Sequence, residues 1–187
     1  LCEEPEGTTI VNELYLEEYL AKVVPSEMPY SYEMEALKAQ AVCARTYAYR
    51  QIQGNAYSQY GAHVDDSTNY QVYNNTQAHS RTTQAVNETY GKMLFYNGKP
   101  AEAFYYSTSC GRGTDAAIWG GTGENYPYLQ ALEICRGGSE VKAGEGDFDS
   151  FIRRKDVKAW DSDFPMFRWE TDIPASLLSE QISGAGN

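Results

Sequence analysis

The chain has 187 residues, of which 42% are hydrophobic and 22% charged. That is enough apolar material for the core of a single domain, which excludes wholesale disorder, and no apolar run approaches the roughly 20 residues of a membrane-spanning helix. Asp and Glu number 26 against 15 Lys and Arg, a net charge of −11, which argues against sequence-independent nucleic-acid binding and against attraction to an anionic bilayer, since both need surplus cations.

Residues 14–24, LYLEEYLAKVV, carry apolar side chains at helical spacing, with Glu17 and Glu18 early and Lys22 late as the helix dipole prefers. Pro25 is expected to stop this helix, because the residue before a proline is biased out of helical geometry. A short link, Pro25 to Tyr30, leads to Ser31, which reads as the N-cap of a second, alanine-rich helix running to about Gln53 and ending at Gly54. Residues 54–70 read as loop, and 77–89 as one short helix around Thr82, Thr83, Ala85 and Val86. Two apolar and aromatic runs, 91–96 and 101–107, flank Asn97-Gly98, the strongest short hairpin signal in the chain. Beyond it, 107–125 reads as loop, 128–134 as a strand and 136–149 as an exposed Gly-rich acidic loop. Residues 151–160 read as a short helix, 167–173 as a strand and 174–182 as a terminal helix. Helix and strand mix without βαβ alternation, so the expected class is α+β: the long Ala-rich helix packed with a small, mainly antiparallel sheet and long loops, in one domain over 1–187.

The chain opens Leu1-Cys2-Glu3-Glu4-Pro5, with neither a start Met nor a signal peptide, and reads as an excised piece or processed product. Its four cysteines allow three full pairings. Cys43 reads as a small hydrophobe inside the long helix. Cys110–Cys135 is the preferred bridge if one forms, both residues lying at the ends of expected strands near glycines. Cys2 pairs outside this stretch or not at all.

Three clusters carry chemistry. Glu27 stands between two prolines beside Met28 and Tyr30: the start of the second helix would favour its carboxylate, and apolar burial would favour the neutral acid that proton donation requires. An exposed loop glutamate is the alternative. Lys38 and Arg45, seven residues apart on the long helix with Tyr49 continuing their stripe, are either solvated surface or the floor of a polar cleft. Phe104-Tyr105-Tyr106-Ser107-Thr108-Ser109-Cys110-Gly111 sets rings and hydroxyls in a row before a Gly-rich backbone that permits close approach. The serines do not make a hydrolase signature, because no G-x-S-x-G is present and the only histidines are His63 and His79. His63-Val64-Asp65-Asp66 offers one His and two adjacent acids, which a solvated loop explains as well as a metal does. The 16 tyrosines, against 6 Phe and 3 Trp, suit a sugar-holding surface and equally the surface of an ordinary extracellular protein.

Taken together, LEEYLAKVVPSEMP, EALKAQAVCARTYAY, Gln71-Val72-Tyr73 and YYSTSCGRGT, then IWG, YPYLQALE and FRWETDIPASLL, resemble the stage II sporulation protein D family over roughly residues 14–182. The resemblance implies a lytic transglycosylase acting on peptidoglycan glycan strands on the outward side of the cytoplasmic membrane, with its anchor outside this chain and its domain continuing past Asn187. By position, Glu27 would be the catalytic acid, Lys38 and Arg45 its support, and Tyr105, Ser109, Gln71, Ser107 and Thr108 the substrate-binding groups. No cofactor is implied. Some clostridial members hold zinc through Cys and His around 64–70; Val64, Asn69 and Tyr70 stand here, so no metal is expected. Related amidase enhancers imply the alternative, a non-catalytic module that grips peptidoglycan and stimulates a partner amidase. One carboxylate suffices for the first reading, because the muramic sugar's own 6-hydroxyl replaces the water that other glycosidases activate with a second acid.

Overall fold

The computed structural model describes residues 2–4, 7–67, 69–74, 77–136 and 148–184, which fall into two compact units divided between Tyr105 and Tyr106. The class is α+β. In the first unit the order is β1 (Cys2–Glu4), β2 (Gly7–Thr9), α1 (Leu16–Glu27), α2 (Met34–Ile52), α3 (Ser80–Glu88), β3 (Phe95–Tyr96) and β4 (Lys99–Pro100). The second unit holds α4 (Phe148–Arg153) and α5 (Ala175–Gly184). In place of one small sheet, the described residues form two separate antiparallel hairpins, β1–β2 and β3–β4, both in the first unit.

Helices α1, α2 and α3 pack against one another around Leu20, Val23, Val24, Ala41, Ala44 and Val86, with Leu16, Tyr19 and Tyr73 against the edge of this cluster. The buried positions of α1 follow the helical period, and α2 buries Leu37, Gln40, Ala41, Ala44, Arg45 and Ala48 along a similar stripe. Alanines at the contact let the axes approach closely.

Two helix boundaries differ from expectation. Pro25 does not end α1; it lies inside the helix, which continues to Glu27. A proline there removes one backbone bond, but the fully buried Val23 and Val24 hold the last turn in place, and Ser26 Oγ bonds the carbonyl of Lys22 at 2.8 Å. Nor does Ser31 cap α2, which starts at Met34 after Glu33. The carbonyls of Tyr30 and Tyr32 are instead taken by the Arg81 guanidinium of α3, at 3.0 and 2.8 Å, which holds this link in non-helical geometry.

The Asn97-Gly98 turn is as expected: both residues have positive φ, 48° and 74°, the geometry whose twist matches a two-residue hairpin. The strands it joins are two residues each. Thr46 of α2 anchors them, its Oγ1 accepting from Leu94 N at 2.9 Å, and Arg50 donates to Pro100 O at 2.7 Å and pairs with Glu102. The chain then passes through buried Ala101 and Ala103 to Tyr105.

The second unit is built mostly of turns. Its core is Phe151, Val157, Ala159 and Phe167, with Cys110 and Cys135 packed against it. Neither strand expected here forms: 128–134 contributes a single bridge, Arg112 to Glu133, and 167–173 contributes none. At 167–173 the segment is held by the side chain of Arg168, whose guanidinium lies over the rings of Phe151 and Phe167 and donates to the carbonyls of Cys110, Phe151 and Arg154. The helix expected over 151–160 is shorter and earlier. Most of the acidic Gly-rich stretch expected at 136–149 lies outside the described residues. Cys43, Cys110 and Cys135 are free thiols, so the preferred bridge is not formed, and Cys43 is half-buried.

Candidate active site

Glu27 is the last residue of α1 and stands four residues after Val23 and three after Val24, on the buried stripe where the next apolar side chain would sit. This spacing turns its carboxylate inward. The helix end beside it is therefore the carbonyl end of α1, whereas the sequence suggested the amide end of the second helix. Oε1 accepts two hydrogen bonds, from Val72 N at 2.7 Å and from the Tyr105 hydroxyl at 3.0 Å. Among the described residues, Oε2 accepts none.

The Tyr105 hydroxyl is itself oriented. Gln71, 3% exposed, donates from Nε2 to Ala44 O at 3.2 Å and to the Tyr105 oxygen at 3.0 Å. A backbone carbonyl can only accept, so the amide nitrogen must face that way, and the Tyr105 proton is left to point at Glu27. Gln71 Oε1 accepts from the Tyr19 hydroxyl at 3.4 Å. The relay Tyr19–Gln71–Tyr105–Glu27 thus has one direction throughout. Burial pushes the phenols of Tyr19 and Tyr105 well above their ordinary range, and the nearby Glu27 charge adds to the effect. Tyr19 stacks on Tyr73, with centroids 5.5 Å apart and planes 7° from parallel.

Lys38 and Arg45 of α2 sit elsewhere in the unit. Arg45 is 1% exposed and clamps the three helices: Nε and Nη2 bond the two oxygens of Glu17 at 2.7 and 2.8 Å, Nη2 bonds Val86 O at 3.2 Å, and Nη1 bonds Lys92 O at 3.1 Å. A cleft of about 550 Å³ opens over this pair, lined by Tyr15, Tyr49, Tyr90 and Met93 among others. Lys38 Nζ joins α2 to α3, bonding Glu35 Oε1 at 2.8 Å and Glu88 Oε2 at 2.7 Å. Although Lys38 and Arg45 are two turns apart on one helix, one is a surface group and the other a core group.

The hydroxyl row belongs to the second unit from Tyr106 onward. Ser107 and Thr108 lie 3.4 Å apart, oxygen to oxygen, with Ser107 exposed. Ser109 is buried, and its hydroxyl is committed twice: it donates to Asp161 Oδ2 at 2.8 Å and accepts from Gly111 N at 3.0 Å. Gly111, at φ 94°, has no room for a side chain, since a Cβ would come within 3.0 Å of Val157. His63 is exposed, while Asp65 accepts from Tyr57 and Ser67, which raises the Tyr57 phenol to about 12 and lowers the Asp65 carboxyl. Among the described residues no group of three or more His, Cys, Asp or Glu is placed to hold a metal ion, and no helix is long and apolar enough to cross a membrane.

Tyr19, Glu17 and Asp161 were missed by sequence reasoning. Tyr19 carried a usable signal, being eight residues before Glu27 on one helix face. Glu17 was read only as a dipole-friendly first-turn acid. Asp161, 52 residues from Ser109, carried none.

A family model described as Stage II sporulation protein matches residues 4–96. An uncharacterized protein of Brachyspira hyodysenteriae is 46% identical over 134 residues, covering 71% of this chain and 36% of that protein. Stage II sporulation protein D of Bacillus amyloliquefaciens is 39% identical over 138 residues, 66% of this chain and 39% of that protein. The amidase enhancer of Bacillus subtilis is 43% identical over 114 residues, 60% of this chain and 14% of that protein. The chain thus spans well under half the length of each of these relatives.

Proposed function

Because the chain belongs to the stage II sporulation protein D family, we propose that it is a peptidoglycan lytic transglycosylase with Glu27 as its single acid and base, acting on glycan strands on the outward side of the membrane. The observation that carries the reading is the asymmetry of the Glu27 carboxylate. Two donors hold Oε1, so the carboxyl proton belongs on Oε2, the oxygen free to meet a substrate. Oε2–H donates its proton to the glycosidic oxygen as the bond to the muramic C1 breaks. The carboxylate left behind faces the positive charge developing on that carbon. It then takes the proton of the muramic 6-hydroxyl while that oxygen bonds C1, which gives a 1,6-anhydro end and returns Glu27 to its acid form. The half-buried Tyr105 and the buried Gln71 hold the carboxyl in one orientation through both steps, so no reorganisation is needed between them. Lys38, Arg45, Ser107, Thr108 and Ser109 enter this reading as family-implied support and substrate groups.

Glycan strands, with and without stem peptides, are incubated with the purified chain and the products weighed by mass spectrometry. The expected products carry 1,6-anhydro ends, and Glu27→Gln loses them by about 10²–10⁴-fold, because the amide keeps the shape but has no acidic proton to give. Full activity in Glu27→Gln removes the mechanism, and ordinary reducing ends make the protein a hydrolase. The likeness to an amidase enhancer supports a second reading, a peptidoglycan-binding module that stimulates a partner amidase. Strand binding with no 1,6-anhydro product, together with faster turnover by added amidase, would favour it.

A further inference from the structure

We propose that Cys110 and Cys135 are a cross-strand dithiol that closes reversibly to a disulfide, a covalent site that braces the turn bearing Ser109. The placement follows from the pairing of two segments in the second unit. Arg112 bridges Glu133 in antiparallel sense, with Gly113 N bonding Leu132 O at 2.8 Å and Ile134 N bonding Gly111 O at 3.0 Å. Those bonds lie outside the Arg112–Glu133 pair, so it is a non-hydrogen-bonded pair, the type whose side chains stand closest. Two residues further along each segment, the same register sets Cys110 opposite Cys135. In a continued ladder that would again be a close pair, with a Cα separation of about 4.5 Å, inside the range a disulfide spans.

Regular pairing ends just before this point. Cys110 is left-handed at φ 53°, and Gly111 N turns to Ser109 Oγ instead of Ile134 O. The two sulfurs nevertheless lie against carbonyls of adjacent residues. Cys135 Sγ donates to Gly111 O, next to Cys110 in the chain, at 3.4 Å, and Cys110 Sγ donates to Arg112 O at 4.0 Å. Both pack against the cluster of Phe151, Val157, Ala159 and Phe167. Each thiol gives its one proton to a carbonyl. Cys135 is also fixed from its other side by an antiparallel bridge to Ala159. It is therefore the rigid half of the pair, and Cys110, on its turn, the half that moves.

The oxidant is a small-molecule disulfide such as oxidised glutathione. One protein thiol loses its proton and attacks, releasing one glutathione thiol, and the second protein thiol then displaces the other. A sulfur–sulfur bond forms in the protein as one breaks in the reagent, which takes up two electrons and two protons.

The reduced chain is incubated with oxidised glutathione and analysed by intact mass and by non-reducing peptide mapping. The expected result is a loss of about 2 Da, one cross-linked peptide joining positions 110 and 135, and reversal by dithiothreitol. Amide exchange at 109–113 and 132–135 slows in the oxidised form. Cys110→Ser and Cys135→Ser each abolish the cross-link and leave a glutathione adduct on the surviving thiol. Glutathione adducts on both residues of the unsubstituted chain, or linkage of either to Cys2 or Cys43, overturn the proposal. The unsubstituted chain alone decides between these outcomes, even if a variant fails to fold.

Discussion

In the first unit the backbone bonds of α1, α2 and α3 are satisfied inside each helix, so buried polar side chains are available to tie one element to another. Arg45 binds Glu17 of α1 and carbonyls at and beyond α3, and Gln71 binds α2 and two tyrosines. In the second unit the backbone is irregular, and its polar side chains are taken up by the backbone itself: Arg168 by three carbonyls of other segments, Asp161 by the amide and hydroxyl of Ser109. Regular secondary structure thus frees side chains for a positioned network, and that network is where the oriented carboxylate lies.

The sharpest way to break this contrast is to remove the organising arginine from each unit. Arg45→Met leaves Glu17 partly buried without its cation and four other acceptors short of a donor. Breaking a buried pair by removing one partner costs about 3–5 kcal/mol, and urea denaturation should show a loss of that size. Arg168→Met gives up hydrogen bonds at a half-buried site, where each charged bond contributes about 1.5–3 kcal/mol at most, and some of the carbonyls regain water. If the two variants lose equal stability, the units do not differ in the way described.

Next in size is Gly111→Ala. The new Cβ would meet Val157 Cγ1 at 3.0 Å at a backbone angle that side chains rarely adopt, so the expected cost is about 1–3 kcal/mol. Hydrogen exchange should place the loss around 109–113 and 157–167, leaving α1 to α3 protected. A loss of protection in those helices would show that the glycine serves more than its own unit.

A third effect is read by pH and involves both units. Tyr19 and Tyr105 are held neutral by burial, with phenols raised above the ordinary value, whereas Tyr106 in the second unit is raised by burial, Asp161 and Cys110. An unfolded phenol ionises near pH 10. As pH rises through that value the unfolded chain releases protons that the folded chain keeps, so stability present below pH 10 is lost progressively until the folded phenols ionise too. Denaturation between pH 9 and 11 should show this decline, and Tyr19→Phe should flatten it. An unchanged slope in Tyr19→Phe would mean that the phenol is not buried in solution.

How much of this was legible in the sequence depended on whether the signal was local. The helices at 14–27 and 34–52 and the Asn97-Gly98 hairpin follow from periodicity and turn chemistry, which act within a few residues. Glu27 and Tyr105 stood out by their neighbours, but the bond between them spans 78 positions and rests on Gln71, whose amide gives no periodic signal. The end of α1 was misread because the rule about proline is a local bias, and the packing of Val23 and Val24 outweighs it. The strands expected at 128–134 and 167–173 failed for the converse reason. Alternation marks a segment willing to pair: 128–134 bonds 111–116 through scattered amides with a single bridge, and 167–173 meets no partner strand while its Arg168 takes carbonyls of other segments.

Lys38 tests the smallest difference, that between two cations two turns apart on one helix. Its ammonium bonds Glu35 and Glu88, and those bonds raise its own affinity for the proton and lower the Glu88 carboxyl. Because these groups are at the surface, solvent and salt screen them. Lys38→Ala should therefore change stability by an amount close to measurement error, and less still in high salt, in contrast to Arg45→Met. The Glu88 part has a defined sign: its folded value is depressed, so the contribution is present above the unfolded glutamate value near 4.3 and fades as the pH falls through the lower folded one. In Lys38→Ala the acid limb of the stability curve should be slightly shallower, because the folded and unfolded values of Glu88 move closer together. If instead Lys38→Ala leaves stability alone but removes activity on glycan strands, the ammonium acts on substrate, and its ion pairs are only its resting place.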